Sequence, residues 1–363
     1  ALLSGFGVLV FGWLCPPIAE VCSWMSTSAL KCMEACVQFT EPQPGSHFWV
    51  AGPSTEWVLV FYALLFVGVI AFYSPSKRLA CTAMAYGMLG FGLILPANGE
   101  DARAIAPPFQ ATFLSVGHGG CVVLEFPDGQ TWLYDAGSLG SINASTDIVS
   151  RFLWDRGIRR LDTIILSHAD IDHYNVVPGL LQRFEVDRAI VSHAMFVNED
   201  RALKVLRDSL KASRVRIEMM QAGGSVGPVG GVALQVLHPS TAIEPDNDNS
   251  NSLVLQMDYL GKSILLTGDL EAGGLEQVLA GQSVNCDVAL APHHGSHRSR
   301  PQEFVDWCHP EFVIVSNGMV SSKGTGPSAY DECGCTVLET SKAGAVAATI
   351  DEQGVSVKPF HVP

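Results

Sequence analysis

Positive charge is scarce in this chain. Its 363 residues carry 22 Lys+Arg against 36 Asp+Glu, a formal net charge of −14 with histidine neutral. Only Lys31, Lys77 and Arg78 among the bases precede residue 101, so the remainder is acidic on balance. That balance excludes a broad nonspecific nucleic-acid surface, which needs many cations to displace counterions from phosphates. Local basic patches remain: Arg156, Arg159 and Arg160 cluster, while Lys204, Arg207, Lys211, Arg214 and Arg216 read more simply as the solvated face of a helix. Paired cysteine spacing is missing too. The ten cysteines are scattered, and Cys333-x-Cys335 and Cys32-x3-Cys36 stand isolated, which supports neither a zinc ribbon nor a disulfide framework. There is no short-period repeat, and the chain starts at Ala1 rather than Met, as a fragment or a processed product would.

Charge of either sign is absent from residues 1–19, 57–76 and 79–99. Each window approaches the ~20 residues that span a bilayer. A secretory signal would be single, N-terminal and preceded by positive charge, whereas two of these windows are internal. Ser74-Pro75-Ser76-Lys77-Arg78 joins them as a transmembrane hairpin would, and its two bases place that connection in the cytoplasm. Glu20, Glu34, Glu41 and Glu56 against Lys31 suit segment 20–56 to the opposite side. By alternation everything after residue 100 lies outside the cytoplasm. The expectation is a multi-pass protein of the inner or plasma membrane: membrane helices over 1–100 and an extracytoplasmic domain over 101–363. Met25 to Phe39 carries apolar residues at helical spacing, as a helix at the interface or between spans does. Residues 97–108, rich in Pro, Asn and Gly, read as a linker.

From residue 109 the pattern is a meander, Ala111–Val116, Cys121–Phe126 and Thr131–Tyr134, turned by Pro127-Asp128-Gly129. Helices and strands then alternate: helix 146–156, a strand to Ser167, a helix from about Val176, strand 186–192, helix 199–211 and strand 215–219. A second half follows, with strands 232–237, 252–258, 262–267, 286–290, 311–315, 345–350 and 354–358 and helices 272–280 and 301–307. Two β-rich halves with outer helices predict an α/β fold with a two-sheet core between helix layers.

The chemistry concentrates in Ser167-His168-Ala169-Asp170-Ile171-Asp172-His173, directly after the apolar run Thr163–Leu166. A rigid strand end holds several ligands near a metal at little ordering cost. Thr267-Gly268-Asp269 and Pro292-His293-His294-Gly295-Ser296 also follow apolar runs. Singly, a His at a strand end is a hydrogen-bonded structural residue, and an Asp after Gly is a turn or N-cap. Together they predict a metal-dependent hydrolase, because so many buried carboxylates and imidazoles need a cation to offset them.

In order, Asp135 in Leu133-Tyr134-Asp135-Ala136-Gly137, the 168–173 cluster, Thr267-Gly268-Asp269 and His293-His294-Gly295-Ser296 resemble the metallo-β-lactamase superfamily, with its four-layer αββα fold. Phe113 to Gly120, Leu237-His238-Pro239 and Asn249 to Leu255 narrow the resemblance to the C-terminal domain of the ComEC family of DNA-uptake proteins, which follows membrane spans. The resemblance implies two divalent ions, Mn²⁺ or Zn²⁺. His168 and Asp170 would hold one, with His238 as a third ligand; Asp172 and His173 would hold the other, completed by His293 or His294, with Asp269 bridging. Asp172, His293 and His294 would carry catalysis, Asp135 would orient a ligand, and His118, Asn251 and Ser296 would face substrate. His193, His297, His309 and His361 read as structural or surface residues.

Some positions depart from the pattern. Asp170 stands where the superfamily has His, which favours the harder Mn²⁺. Ser115, His118 and Gly120 stand where the competence family has an acidic residue, Gln and Asp, and Gly324-Thr325-Gly326-Pro327 where it has Gly-His-Pro. The implied partners are DNA, the membrane and other DNA-uptake proteins. The implied reaction is phosphodiester hydrolysis during natural transformation. The alternatives are hydrolysis of another phosphoester and a non-catalytic DNA-channel role.

Overall fold

The computed structural model describes residues 2–40, 55–70, 108–197, 200–242, 247–318 and 329–361, with isolated positions between 43 and 87. The backbone divides into two compact units, Ala1–Val50 and Ala51–Pro363. In the first, helix Leu2–Leu14 is followed at once by helix Pro16–Thr40. The uncharged window 1–19 is therefore broken: a proline ring cannot extend a helix interior but fits the first turn, where its missing N–H leaves no bond unmade. Met25 to Phe39 lies inside the second helix. In the second unit, the 16-residue helix Thr55–Ile70 covers positions 57–70 of the 57–76 window. Among the described residues no helix is long and apolar enough to cross a membrane. Residues 71–75, most of the 79–99 window and positions 97–107 of the linker lie outside the described residues.

The remainder of the second unit is built on two sheets. The first contains β1 (Phe109–Phe113), β2 (Val122–Glu125), β3 (Thr131–Tyr134), β4 (Arg160–Leu166), β5 (Glu185–Ser192) and β6 (Arg216–Met220). The second contains β7 (Ala233–His238), β8 (Val254–Tyr259), β9 (Lys262–Leu266), β10 (Val288–Leu290), β11 (Phe312–Val315) and β12 (Thr336–Glu339). The chain then returns to the first sheet with β13 (Val346–Asp351) and β14 (Gly354–Pro359). The orders are β14-β13-β1-β2-β3-β4-β5-β6 and β12-β11-β10-β9-β8-β7. β3 to β6 pair in parallel, as do β9 to β12, while the other pairs are antiparallel.

Alternation along each strand creates the layers. In β4, Ile165 joins Phe113, Trp132, Leu255 and Ile264 in a core between the sheets. Its neighbours Ile164 and Leu166 face the other way, under Val149 and Leu153 of helix Ile142–Asp155 and Leu206 and Leu210 of helix Arg201–Ala212. In β9, Ile264 and Leu266 point between the sheets, and Leu265 packs outward with Leu275, Phe304 and Val313. Strands buried on both faces read as continuous apolar runs, which is how these two appear in the sequence.

Two boundaries differ from expectation. Helix Ile142–Asp155 begins four residues early because the Ser141 hydroxyl accepts a hydrogen bond from Ala144 N at 3.4 Å and caps it. The helix expected from Val176 is two short turns, Ile171–Tyr174 and Val177–Leu180. Asp135 and the predicted ligands at 168–173, 269 and 293–294 follow the C-terminal ends of β3, β4, β9 and β10, the edge where parallel α/β sheets place their sites, whereas His238 ends β7.

Candidate metal centre

Asp135, the first residue after β3, organises the centre from beneath. It is buried, and its Oδ1 accepts Ser167 N–H at 2.7 Å. Its Oδ2 accepts the Ser167 hydroxyl at 2.8 Å and stands 2.8 Å from His173 Nδ1. Because the Ser167 hydroxyl donates to Asp135, its lone pair receives His168 Nδ1–H, 2.8 Å away. His294 Nδ1 faces the Ser316 carbonyl at 2.8 Å, and a carbonyl can only accept. All three rings therefore keep a proton on Nδ1 and turn Nε2 inward, the orientation a metal-binding histidine needs. Those three Nε2 atoms are buried and make no hydrogen bond. An orphaned buried nitrogen is costly; three converging ones fit a cation.

The carboxylates stand opposite them. Asp269 Oδ1 is 3.1 Å from His173 Nε2, and its Oδ2 is 3.3 Å from His294 Nε2. Asp172 Oδ2 is 3.5 Å from His294 Nε2. Two ligand groups result, His168 with His173 and Asp269, and His118 with Asp172 and His294, each with ligand atoms within 4.8 Å of one another. The expected pairing of Asp172 with His173 is not how these groups form. Asp172 and His173 share a helical turn, so consecutive side chains diverge by ~100° and enter different groups. Asp269, reaching one histidine of each group, is placed to bridge.

Close backbone approach makes this possible. A Cβ on Gly137 would lie 2.3 Å from the Asp172 carbonyl, and one on Gly268, at φ +54°, would lie 2.8 Å from Ser167 Cβ. Only glycine lets these loops touch.

The other predicted residues fall into two sets. Asp170 stands at the mouth of the first group, its Oδ2 3.7 Å from His168 Nε2 and its side chain 46% exposed. His118 reaches the second group from the β1–β2 loop, its Nε2 4.0 Å from Asp172 Oδ2 and its ring 4.4 Å from that of His294. His293 and His294 both adopt left-handed backbone conformations, φ 49° and 53°. His293 Nδ1 lies 2.8 Å from Glu271 Oε2 and its Nε2 4.0 Å from Asp269 Oδ2.

The second set lies outside both groups. His238 ends β7 and donates Nδ1–H to the Ser252 carbonyl at 2.9 Å, with His193 beside it. Asn251 is buried in its loop, donating to the Asn247 carbonyl at 3.0 Å and accepting from the Ser192 hydroxyl at 2.9 Å through its own carbonyl. The Ser296 hydroxyl caps the turn His297–Ser299, accepting from Arg298 N at 3.2 Å. Residues 324–327 lie outside the described residues. Sequence reasoning missed Ser167, Glu271 and Ser316, although Ser167 precedes His168 and Glu271 follows Asp269 by two.

Electrostatics follow from this packing. Burial resists charge on Asp269, yet His173 and His294 hold it well below the usual carboxylate range. Burial likewise disfavours a charged His173, but Asp269 and Asp135 hold it well above its ordinary value. His294 is pushed up to about 9, burial being outweighed by Asp269 and Asp172. A divalent cation bound here would take the place of these protons, so binding would release them.

The sequence profile of the metallo-beta-lactamase superfamily matches residues 114–304, just over half of the chain. The chain belongs to that superfamily. Members are typically metal-dependent hydrolases and usually bind divalent metals such as zinc, and the imidazole and carboxylate donors here suit such ions. The superfamily chain is 37% identical over 168 residues to ComE operon protein 3 of Bacillus subtilis, covering 46% of this chain and 21% of that one. It is 24% identical over 371 residues to Competence protein ComA of Neisseria gonorrhoeae, covering 99% of this chain and 49% of that one. The chain thus spans half or less of the length of these curated relatives. Among solved structures, the metallo-beta-lactamase fold protein YhfI of Bacillus subtilis aligns at 11% identity with a TM-score of 0.45, over 66% of this chain and 99% of that one.

Proposed function

We propose that this chain is a membrane-associated, dinuclear metal-dependent hydrolase of DNA phosphodiesters that acts during DNA uptake. The observation that carries the metal chemistry is the convergence of three buried, unpartnered imidazole nitrogens on Asp172 and Asp269. The names of the competence relatives supply the support for DNA as substrate.

His168, His173 and Asp269 would hold one ion, with Asp170 at its open side. Asp172 and His294 would hold the other, with His118 at its open side. Bound there, two divalent cations would clamp a phosphodiester, acidify a water and offset charge on the leaving oxygen. The chain supplies the rest. Asp135 fixes the tautomer of His173 directly and that of His168 through Ser167, and Ser316 fixes that of His294. Glu271 sets His293 so that Nδ1 is engaged and Nε2 faces the site, where it can take or give a proton at the substrate. The exposed carboxylate of Asp170 is a hard donor, which favours Mn²⁺.

The charge-free windows 57–76 and 79–99 are the proposed membrane hairpin, with Lys77 and Arg78 cytoplasmic and the catalytic domain extracytoplasmic. Arg156, Arg160, Lys204 and Arg216 are each paired with an acid, Glu125, Asp187, Asp208 and Glu218 respectively. DNA affinity should therefore be local to the metals, modest and lowered by salt.

Elemental analysis of the purified chain is expected to find about two divalent ions, and with Mn²⁺ the protein is expected to nick plasmid or degrade single strands. Two bound metals with no cleavage of either DNA form would overturn the nuclease reading in favour of another phosphoester.

A further inference from the structure

Tertiary packing gathers cysteines that the sequence scatters. Cys286 stands at the entry to β10, and Cys308 ends the helix Pro301–Cys308. Cys286 N–H donates to the Cys308 carbonyl at 2.9 Å. That bond brings the two backbones into direct contact, which a disulfide, with its Cα atoms about 4.4–6.8 Å apart, requires. The two side chains lie in the same outer core cluster, and the Cys308 thiol feels that of Cys286. Both residues are buried, at 4% and 0% exposure, in the outer core with Phe304 and Val313. Cys335 lies near Cys308, and Cys333 near Cys335, both only partly buried.

A thiolate metal site would need at least three sulfurs converging on one point. Among the described residues no group of three cysteines meets that spacing. The contact is pairwise.

We propose that Cys286 and Cys308 are a disulfide site, oxidised by exchange with an external small-molecule or protein disulfide. One thiolate attacks the oxidant RSSR, forming a mixed disulfide and expelling RS⁻; the second thiolate then displaces the remaining RS⁻. Two thiols lose their protons, one S–S bond forms, and both electrons leave on two RSH. Burial and the neighbouring Cys286 thiol hold Cys308 well above the ordinary thiol range, so exchange starts while the chain is folding or locally open.

The bond would close the segment 286–308, which contains β10 and both His293 and His294. Tying its ends restricts the unfolded chain. It also braces the two consecutive left-handed residues that present His294 to the metal centre.

The test uses the full chain, purified under reductant and equilibrated in glutathione buffers from reducing to oxidising, with warming below the melting temperature. Alkylation and non-reducing peptide mapping are expected to show a Cys286–Cys308 crosslink with the loss of two free thiols. The oxidised form should melt about 5–10 °C above the reduced form. Cys308→Ala should remove that difference, and Cys333→Ala should retain it. The wild-type peptide map decides the matter even if Cys308→Ala folds poorly. Both thiols alkylated at every potential, a link through Cys335 instead, or zinc bound stoichiometrically by these thiols would each overturn the proposal. None of these readouts depends on hydrolase activity or on the metal at the histidine centre.

Discussion

Two pairs of histidines sit at strand ends in this fold, and their surroundings make them opposites. His168 and His173 follow β4; each has Nδ1 engaged from behind and Nε2 buried without a hydrogen bond. His193 and His238 follow β5 and end β7, and both ring nitrogens of His193 are likewise buried and unpartnered. Asp269 and Asp135 face the first pair and raise His173. His238 feels burial first, then the Ser252 carbonyl and His193, with no carboxylate among them, and is lowered. A strand-end imidazole with an idle nitrogen is therefore not enough. The carboxylate opposite it separates a place for a cation from a place for a neutral ring.

Removing the central carboxylate should produce the largest effect. Asp269→Asn is expected to cut hydrolysis by about 10³-fold or more and to lower bound metal from about two ions to one or fewer, by elemental analysis. Retention of both ions would break the contrast at its strongest point. Next in size are the groups behind the rings. Ser167→Ala and Asp135→Asn should weaken metal affinity by roughly 10–100-fold, measured by competition with a chelating dye, with circular dichroism unchanged.

A smaller effect is expected from pH. His294 titrates at about 9 in the folded, metal-free chain against an ordinary ~6.5. Its folded value is raised, so its contribution to stability is fully present below ~6.5 and is lost as pH climbs through about 9. A metal competes with that proton. The rise in melting temperature on adding Mn²⁺ or Zn²⁺ should therefore be greater at high pH than at pH 6; equal rises would show that His294 does not exchange a proton for the ion. The smallest effect belongs to the second pair. His238→Gln should leave metal content unchanged and cost about 1–3 kcal/mol of stability through the bond to Ser252. Loss of an ion in that variant would make the two pairs alike.

The strands around β4 and β9 are legible in the sequence because burial on both faces demands unbroken apolar runs. β12 is not: Thr336–Glu339 is at best half-buried on either face, so no such run marks it. Helix Ala272–Ala280 coincides with its expected span, whereas the two short turns after His173 have too few residues to show a period. The ligand types were readable for a local reason. His168, Asp172 and His173 lie within one strand end, and the fold has only to turn there.

Partnership was not readable. Residue types, their order along the chain and the layered α/β class all follow from local pattern: apolar alternation, glycine at tight approaches, ligands after runs. What the tertiary structure alone decided is which residues face one another. Glu271 reaches His293, Ser316 receives His294, and Cys286 meets Cys308, each across 22 positions. That separation is close to one strand, helix and return in the parallel half of the second sheet, so residues one such unit apart arrive at neighbouring strand ends. Nothing in a single stretch of sequence registers that return, because the contacts form only when adjacent strands pair and the helices between them pack down on the sheet.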